Sequence, residues 1–422
     1  MKTSIYHAGL YAKTALLAIG GAALTHAQSV VAPAISVPSS AQSPSAAGSS
    51  SAASSFTSVL GSDAPLFRRG PVALRPHLEY RVLFGEGIEV APGDARDSTI
   101  QSFSPGMLVE IGNYWRLDYT PTWTYYSNEE FRDTADHAVI LSGRAPHAHG
   151  SVGLTQSYTS SHAILAETGR QTHEEKHATL LDGTYRIGRR TFVEASASRS
   201  VRSANAVSEA PEWATSDWEQ WSAGSWLHYE FSPRISAAAG FSAGRADVGV
   251  GADMSFTQPQ LKLAWKPGDK ISLSAQVGVE RRQFKDDSRP ALTSPVYTAA
   301  AGYQILPTTK LSFSATRSVS ASYFANQVTE SRGWTAGLEQ RLLQRLYFSA
   351  DLTTLETDYL GTQAESGPTR ADEYRSINLR LTTVLLRRAS FAVVYQIGEN
   401  ISGVAAYAFR STQIGFEASV RF

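Results

Sequence analysis

The chain has no cysteine in its 422 residues. Disulfides, thiolate metal sites and acylation of a lipobox cysteine are therefore excluded. It also has no net charge, because Lys plus Arg and Asp plus Glu each total 38. That balance argues against a nucleic-acid partner and against a strongly ion-selective field. Long apolar runs are missing too. Mean hydropathy is −0.20, and no stretch reaches the roughly 20 apolar residues that a spanning helix needs. A helical membrane protein is excluded. No Gly-rich phosphate loop follows a strand and opens a helix.

What the chain does have is alternation of period two. In the last segment Ile414, Phe416, Ala418, Val420 and Phe422 are apolar, while Gln413, Gly415, Glu417, Ser419 and Arg421 fill the gaps. A β-strand sends successive side chains to opposite faces, so one face is apolar and the other polar. Ile271, Leu273, Ala275, Val277 and Val279 repeat the pattern, as do Leu311, Phe313 and Ala315, and Ile377, Leu379 and Leu381. Ile235, Ala237, Ala239 and Phe241 do the same. A helical period would scatter these residues around the whole cylinder. A soluble all-β core would need its second face covered, and these second faces are Ser, Thr, Gln, Glu and Arg. The pattern fits a strand solvated by lipid on one side and by water on the other.

Strands from about Tyr80 to Phe416 are joined by alternating short and long connections. The short ones include Gly112-Asn113-Tyr114, Gly188-Arg189-Arg190, Ser232-Pro233-Arg234, Lys266-Pro267-Gly268-Asp269 and Pro307-Thr308-Thr309. Leu343-Gln344 and Leu386-Arg387-Arg388 keep the same rhythm. The long ones include Gly85–Thr99, Ser127–Asp136, Ser160–Glu175, Ser203–Asp217, Asp286–Ser294 and Thr357–Ala371. The expected fold is all-β, a transmembrane antiparallel up-and-down barrel of about 18 strands, between roughly 16 and 20, wide enough for an aqueous lumen. Tyr114, Trp115, Trp123, Tyr125, Tyr126, Trp218, Trp221, Tyr229, Phe231, Trp265 and Trp334 are expected to form its interfacial girdles.

The N-terminus points to the same compartment. Lys2 and Lys13 flank the apolar run Thr14–Leu24, which leads to Thr25-His26-Ala27, a small-x-small cleavage pattern before Gln28. The expected organisation is a signal peptide over 1–27, a disordered Ser/Ala/Pro-rich periplasmic linker over 28–70, and one barrel domain over 71–422. The location is then the outer membrane of a Gram-negative cell.

With the apolar register toward lipid, the other register supplies the lumen wall. Arg116, Asp118, Glu194, Arg202, Glu230, Lys262, Glu280, Arg282, Glu339, Arg341, Asp351, Arg380, Glu417 and Arg421 are the candidate lumen-lining residues. An Arg or Lys at the lipid midplane would cost about 2–4 kcal/mol, which favours this register. Cross-strand ion pairing is the plainer role for these charges.

Catalytic patterns are weak. His173-Glu174-Glu175-Lys176-His177 fits H-E-x-x-H, but zinc chelation by that motif needs a helix. In a strand, residues four apart lie about 13 Å apart. Gly183 stands where a third histidine would be expected, and Glu194 falls in a later strand. His147-Ala148-His149 reads as a turn, and Ser160, Ser161 and His162 as a polar loop. No catalytic residue, metal or cofactor is expected.

Ser104-Pro105-Gly106-Met107 leading to Trp115-Arg116-Leu117-Asp118-Tyr119, then Tyr125-Tyr126 and Asp136-His137-Ala138, resembles the opening hairpin of the β-barrel porin 2 group. Tyr407 through Phe416, continuing to Arg421-Phe422, is similar to that group's closing strand. Val420 stands where many barrel termini carry an aromatic residue. The resemblance implies an outer-membrane porin, in some members associated with exopolysaccharide or exosortase loci, and no catalytic residues. Expected partners are outer-membrane lipid, the barrel-assembly machinery through the strand ending in Phe422, and a polysaccharide if export is the role. The expected function is a passive channel for small hydrophilic solutes or a barrel accompanying polysaccharide export. The alternative is a structural or adhesive barrel with a closed lumen whose external loops bind a partner. A loop-borne hydrolase dependent on His173 is the third class.

Overall fold

The computed structural model describes residues 65–86, 97–165, 167, 170–206, 216–285, 290–324, 327–361, 368–386 and 388–422. The expected signal segment and most of the expected linker lie outside these residues. Among the described residues nineteen strands form one antiparallel sheet. In chain order they are β1 (Phe67–Arg69), β2 (Val72–Glu86), β3 (Ser98–Ile111), β4 (Trp115–Tyr126), β5 (Thr134–His147) and β6 (Gly150–Leu165). Then come β7 (Arg170–Arg186), β8 (Thr191–Ala206), β9 (Trp218–Ser232), β10 (Ile235–Val248), β11 (Met254–Gly268) and β12 (Ile271–Phe284). The rest are β13 (Leu292–Leu306), β14 (Thr309–Ala321), β15 (Gln327–Leu343), β16 (Leu346–Gly361), β17 (Pro368–Leu386), β18 (Ala389–Ser402) and β19 (Phe409–Arg421).

Each strand from β2 to β19 pairs with its sequence neighbours, and β19 closes on β2 through Phe416↔Val82 and Glu417↔Arg81. The result is a closed up-and-down barrel of 18 strands, as the alternation leads one to expect. β1 stands apart. It is a three-residue strand on the free edge of Val72–Leu74, inside the segment expected to be linker. Gly70 and Gly112 turn the chain at two short ends with φ of 58° and 62°. Only glycine adopts such angles without strain.

Cross-strand partners share a face, so the pairing can be followed around the whole barrel. Ile414 and Phe416 fall on one face and Gln413 and Glu417 on the other. Phe416 is 44% exposed and Glu417 6%. The interior face is fixed by contacts between non-neighbouring strands. Arg202 on β8 donates to the Ser322 carbonyl beyond β14 at 2.7 Å, which a closed wall permits only through its inside.

Two expectations need correction. The Ser160–Glu175 connection is mostly strand, with Ser160 directly opposite Glu175, and Thr357–Ala371 is likewise entered by β16 and β17. Most barrel strands have 13–19 residues, whereas about 9–11 cross a bilayer when tilted. The excess lies toward the long connections, where the outward face turns polar and the segment reads as loop. There the outward face carries Arg199–Glu219 at 2.8 Å, Arg245–Asp247 at 2.6 Å and Arg375–Glu373 at 2.7 Å. The second correction concerns two girdle aromatics. Trp218 is interior and buried, packed with Ala246, Met254, Phe284, Ala321 and Val328, and Tyr126 packs on Phe131. Trp218 occupies the same register as the Arg202 it pairs with, so parity turns it inward.

Candidate functional site

The interior surface is the place where charges converge. Cross-strand partners place Arg116, Asp118, Glu194, Arg202, Glu230, Lys262, Glu280, Arg282, Glu339, Arg341, Asp351, Arg380, Glu417 and Arg421 in the register of the interior face. Most of them meet an opposite charge or another polar group there. Glu417 sits between Arg81, at 3.2 Å, and Arg380, with which it forms a close ion pair. Arg282 pairs with Glu280 at 2.7 Å, and His228 with Glu194 at 3.1 Å. Arg144 meets Asp182 at 2.6 Å, and Lys310 meets Glu339 at 3.7 Å.

Residues missed in the sequence complete this wall. Arg81, Arg144, Asp182, His228 and Lys310 lie in the same register as their partners. Parity alone would have found them. Gln276 donates to Gln260, which donates to Ser242 at 2.9 Å, and these uncharged residues gave no charge signal.

The two ends of this interior differ. Toward the short turns, Lys310 and Glu339 are each 51% exposed. Toward the long connections, Arg282 and Glu280 are only 4% and 5% exposed. That end is bridged by a knot of side chains from opposite walls. The Ser322 hydroxyl and the Tyr323 N–H, the latter at 2.8 Å, both donate to Glu167 Oε1. Arg370 on β17 donates to the Glu167 carbonyl at 3.0 Å, and the Tyr323 hydroxyl donates to Glu174 at 3.0 Å. The Arg202 guanidinium lies 3.8 Å from the Tyr323 ring centroid, and that of Arg370 lies 3.7 Å from Tyr407. Such cation–π contacts gain strength when desolvated. Burial pushes the Glu167 carboxyl up, while Ser322, Tyr323, Arg202 and Arg370 oppose that rise. Burial also raises the Tyr323 hydroxyl. Arg370 and Glu167 were out of reach of sequence reasoning, because both stood in stretches read as loop.

The H-E-x-x-H residues lie on β7, with His173 and His177 in the outward register. His173 stacks on His162 at 4.2 Å and His177 packs against Tyr158 at 4.6 Å, so they do not converge. Ser160 lies 3.2 Å from His173 Nε2, but Glu175 approaches that same nitrogen, at 3.9 Å, and Asp136 holds His162, at 2.8 Å. An acid–histidine–serine relay needs all three in one line. Among the described residues no group of three His, Cys, Asp or Glu is placed to hold a metal.

No family model matches the chain, and no curated protein matches it. Solved structures do. OccK2 (OpdF) of Pseudomonas aeruginosa shares 13% identity at a TM-score of 0.47, covering 83% of this chain and 98% of that one. OccAB2 of Acinetobacter baumannii shares 14% at 0.46, covering 83% and 98%. OccK1 (OpdK) of Pseudomonas aeruginosa shares 13% at 0.46, covering 83% and 99%.

Proposed function

We propose that this barrel is an outer-membrane channel for passive passage of small hydrophilic solutes, lined by the fourteen charged residues named above and their partners. The observation that carries the reading is the division of the closed wall into two faces. Outside, large apolar side chains such as Phe416, Ile414, Val277, Phe313 and Leu261 stand exposed. Inside, ion pairs such as Arg380–Glu417 and Arg282–Glu280 and hydroxyls such as those of Ser331 and Thr357 occupy alternate positions. Only acyl chains solvate the first face well, and only water or packing satisfies the second. Membership of the β-barrel porin 2 group, a cleaved signal peptide over 1–27, a periplasmic linker, and folding by the barrel-assembly machinery through the strand ending in Phe422 belong to the same reading. So does a place in polysaccharide export.

The test is a liposome swelling series with sugars of increasing size. Swelling that falls off at a definite sugar size supports the channel and gives its diameter. No swelling with any sugar, from a barrel shown to be folded, contradicts it. One observation favours a second reading, a structural or adhesive barrel with a closed lumen: the Glu167–Ser322–Tyr323–Arg370 knot and the Trp218 cluster fill the end with long connections. Discrete single-channel steps in planar bilayers decide for the channel, and a silent folded barrel for the alternative.

A further inference from the structure

Although the whole chain has zero net charge, its short-turn end is strongly basic. Arg68 and Arg69 in β1, Arg189 and Arg190 between β7 and β8, Arg234 between β9 and β10, and Lys266 and Lys270 flanking the next turn all lie at that rim. Arg345 and Arg388 continue the ring between β15 and β16 and before β18. Among the described residues of these turns Asp269 is the one carboxylate, and it lies 3.8 Å from Arg234. Other acids near this end, Glu110, Asp182, Glu230 and Glu339, are in the interior register with cations of their own, Arg75, Arg144, Arg186 and Lys310. Arg68, Arg69, Arg189, Arg190 and Arg345 are exposed and have no carboxylate partner among the described residues.

The neighbours of these cations indicate what they face. Leu66 and Phe67 adjoin Arg68, and Tyr185 and Ile187 precede Arg189. Phe231 and Ile235 bracket Arg234, Trp265 adjoins Lys266, Leu342 and Leu343 precede Arg345, and Leu385 and Leu386 precede Arg388. All these apolar side chains are exposed. Arg388 lies 5.7 Å over the Phe422 ring. Cations set directly against exposed aliphatic and aromatic side chains suit the boundary between acyl chains and headgroups. There the apolar part enters lipid and the cation reaches phosphate. A soluble polyanion would match the charge and leave the leucines and aromatics unexplained. The opposite end shows a contrast of degree, since five of its outward arginines, Arg199, Arg245, Arg317, Arg332 and Arg375, are each spent on a carboxylate, while Arg281 and Arg410 have none among the described residues.

We infer that the short-turn rim is a binding surface for anionic phospholipid headgroups of the leaflet it faces, with Arg189, Arg190, Arg234 and Arg345 as its principal phosphate ligands. This rests on the membrane reading above and does not need the lumen to conduct. The rim therefore fixes the depth and sidedness of the barrel through charge as well as through its aromatic belt.

The test uses the full barrel, refolded in neutral detergent, with phosphatidylglycerol and phosphatidylcholine supplied together and bound lipid counted by native mass spectrometry. The wild type should retain phosphatidylglycerol in preference, and added salt should weaken that preference. A variant carrying Arg189→Gln, Arg190→Gln, Arg234→Gln and Arg345→Gln should lose at least about tenfold of it. Its folded state is verified by heat-dependent electrophoretic mobility. A control with Arg245→Gln and Arg375→Gln at the other end should keep the preference. Equal retention by the wild type and the four-site variant overturns the inference. So does a variant that loses binding to dextran sulfate while keeping phosphatidylglycerol, which would assign the rim to a soluble polyanion. Conductance of the same samples tests the channel separately: a silent barrel that selects phosphatidylglycerol keeps the rim and discards the pore.

Discussion

The interior of this barrel has two kinds of charge, and they do different work. Near the short turns, Lys310 and Glu339 meet across a half-exposed wall, at a distance and exposure where water screens much of their attraction. Midway up, Arg81, Glu417 and Arg380 are largely shielded, and toward the long connections Arg282 and Glu280 are buried outright. The same residue types thus shift from hydrated wall to packed structure along one axis. The difference teaches that interior parity does not by itself make a residue a pore residue. Burial decides whether a charge meets a passing solute or holds two strands together.

The largest expected effect lies in the buried part. Glu417→Ala would leave two guanidiniums facing each other without their shared carboxylate, and removing one partner of a buried ion pair costs about 3–5 kcal/mol. Guanidinium chloride unfolding in detergent should show a clearly lowered midpoint. A midpoint within error of the wild type would mean that water reaches this level and would erase the contrast between the ends.

Next comes the knot at the far end. Glu167→Ala removes the acceptor for the Ser322 hydroxyl and the Tyr323 N–H, so in planar bilayers this variant should conduct more, or open more often, than the wild type. Burial raises the Glu167 carboxyl above its ordinary value of 4.5, so the folded state favours its protonated form. Its contribution to stability is then full below that ordinary value and fades as pH climbs through the raised one. Conductance should accordingly fall on acidification, and Glu167→Gln, which keeps an acceptor without the charge, should flatten that dependence. An Ala variant indistinguishable from the wild type would show that the knot does not govern passage.

The smallest effect belongs to the hydrated end. Lys310→Gln should change stability by about 0–1 kcal/mol, read in the same unfolding experiment. A loss as large as that of Glu417→Ala would show that the short-turn end is packed like the rest.

Much of the fold was legible because its period is short and local. Ile271–Glu280 and Gln413–Phe422 state their two faces residue by residue, and a run of such segments punctuated by turns leaves few architectures open. Legibility ended where the solvent changed. Above the apolar belt the outward face of a strand turns polar as well, so Ser160 and Glu175 looked like loop although they pair directly. Pairing was also hidden, since Glu417 and Arg81 lie at opposite ends of the chain and meet only because β19 closes on β2. Trp218 was misplaced for the converse reason: an aromatic at a strand end suits a girdle or an interior plug equally well, and only its register separates the two.

The most direct test of the central claim uses the absence of cysteine, which makes single thiols unambiguous. Phe313→Cys and Ser314→Cys place a thiol on adjacent residues of β14, in opposite registers and both exposed. In the reconstituted barrel, a charged, water-soluble thiol reagent should modify Ser314→Cys rapidly and spare Phe313→Cys, while a quencher confined to acyl chains should reach a probe at Phe313→Cys only. Rapid modification of Phe313→Cys by the charged reagent, with no quenching there, would contradict the account.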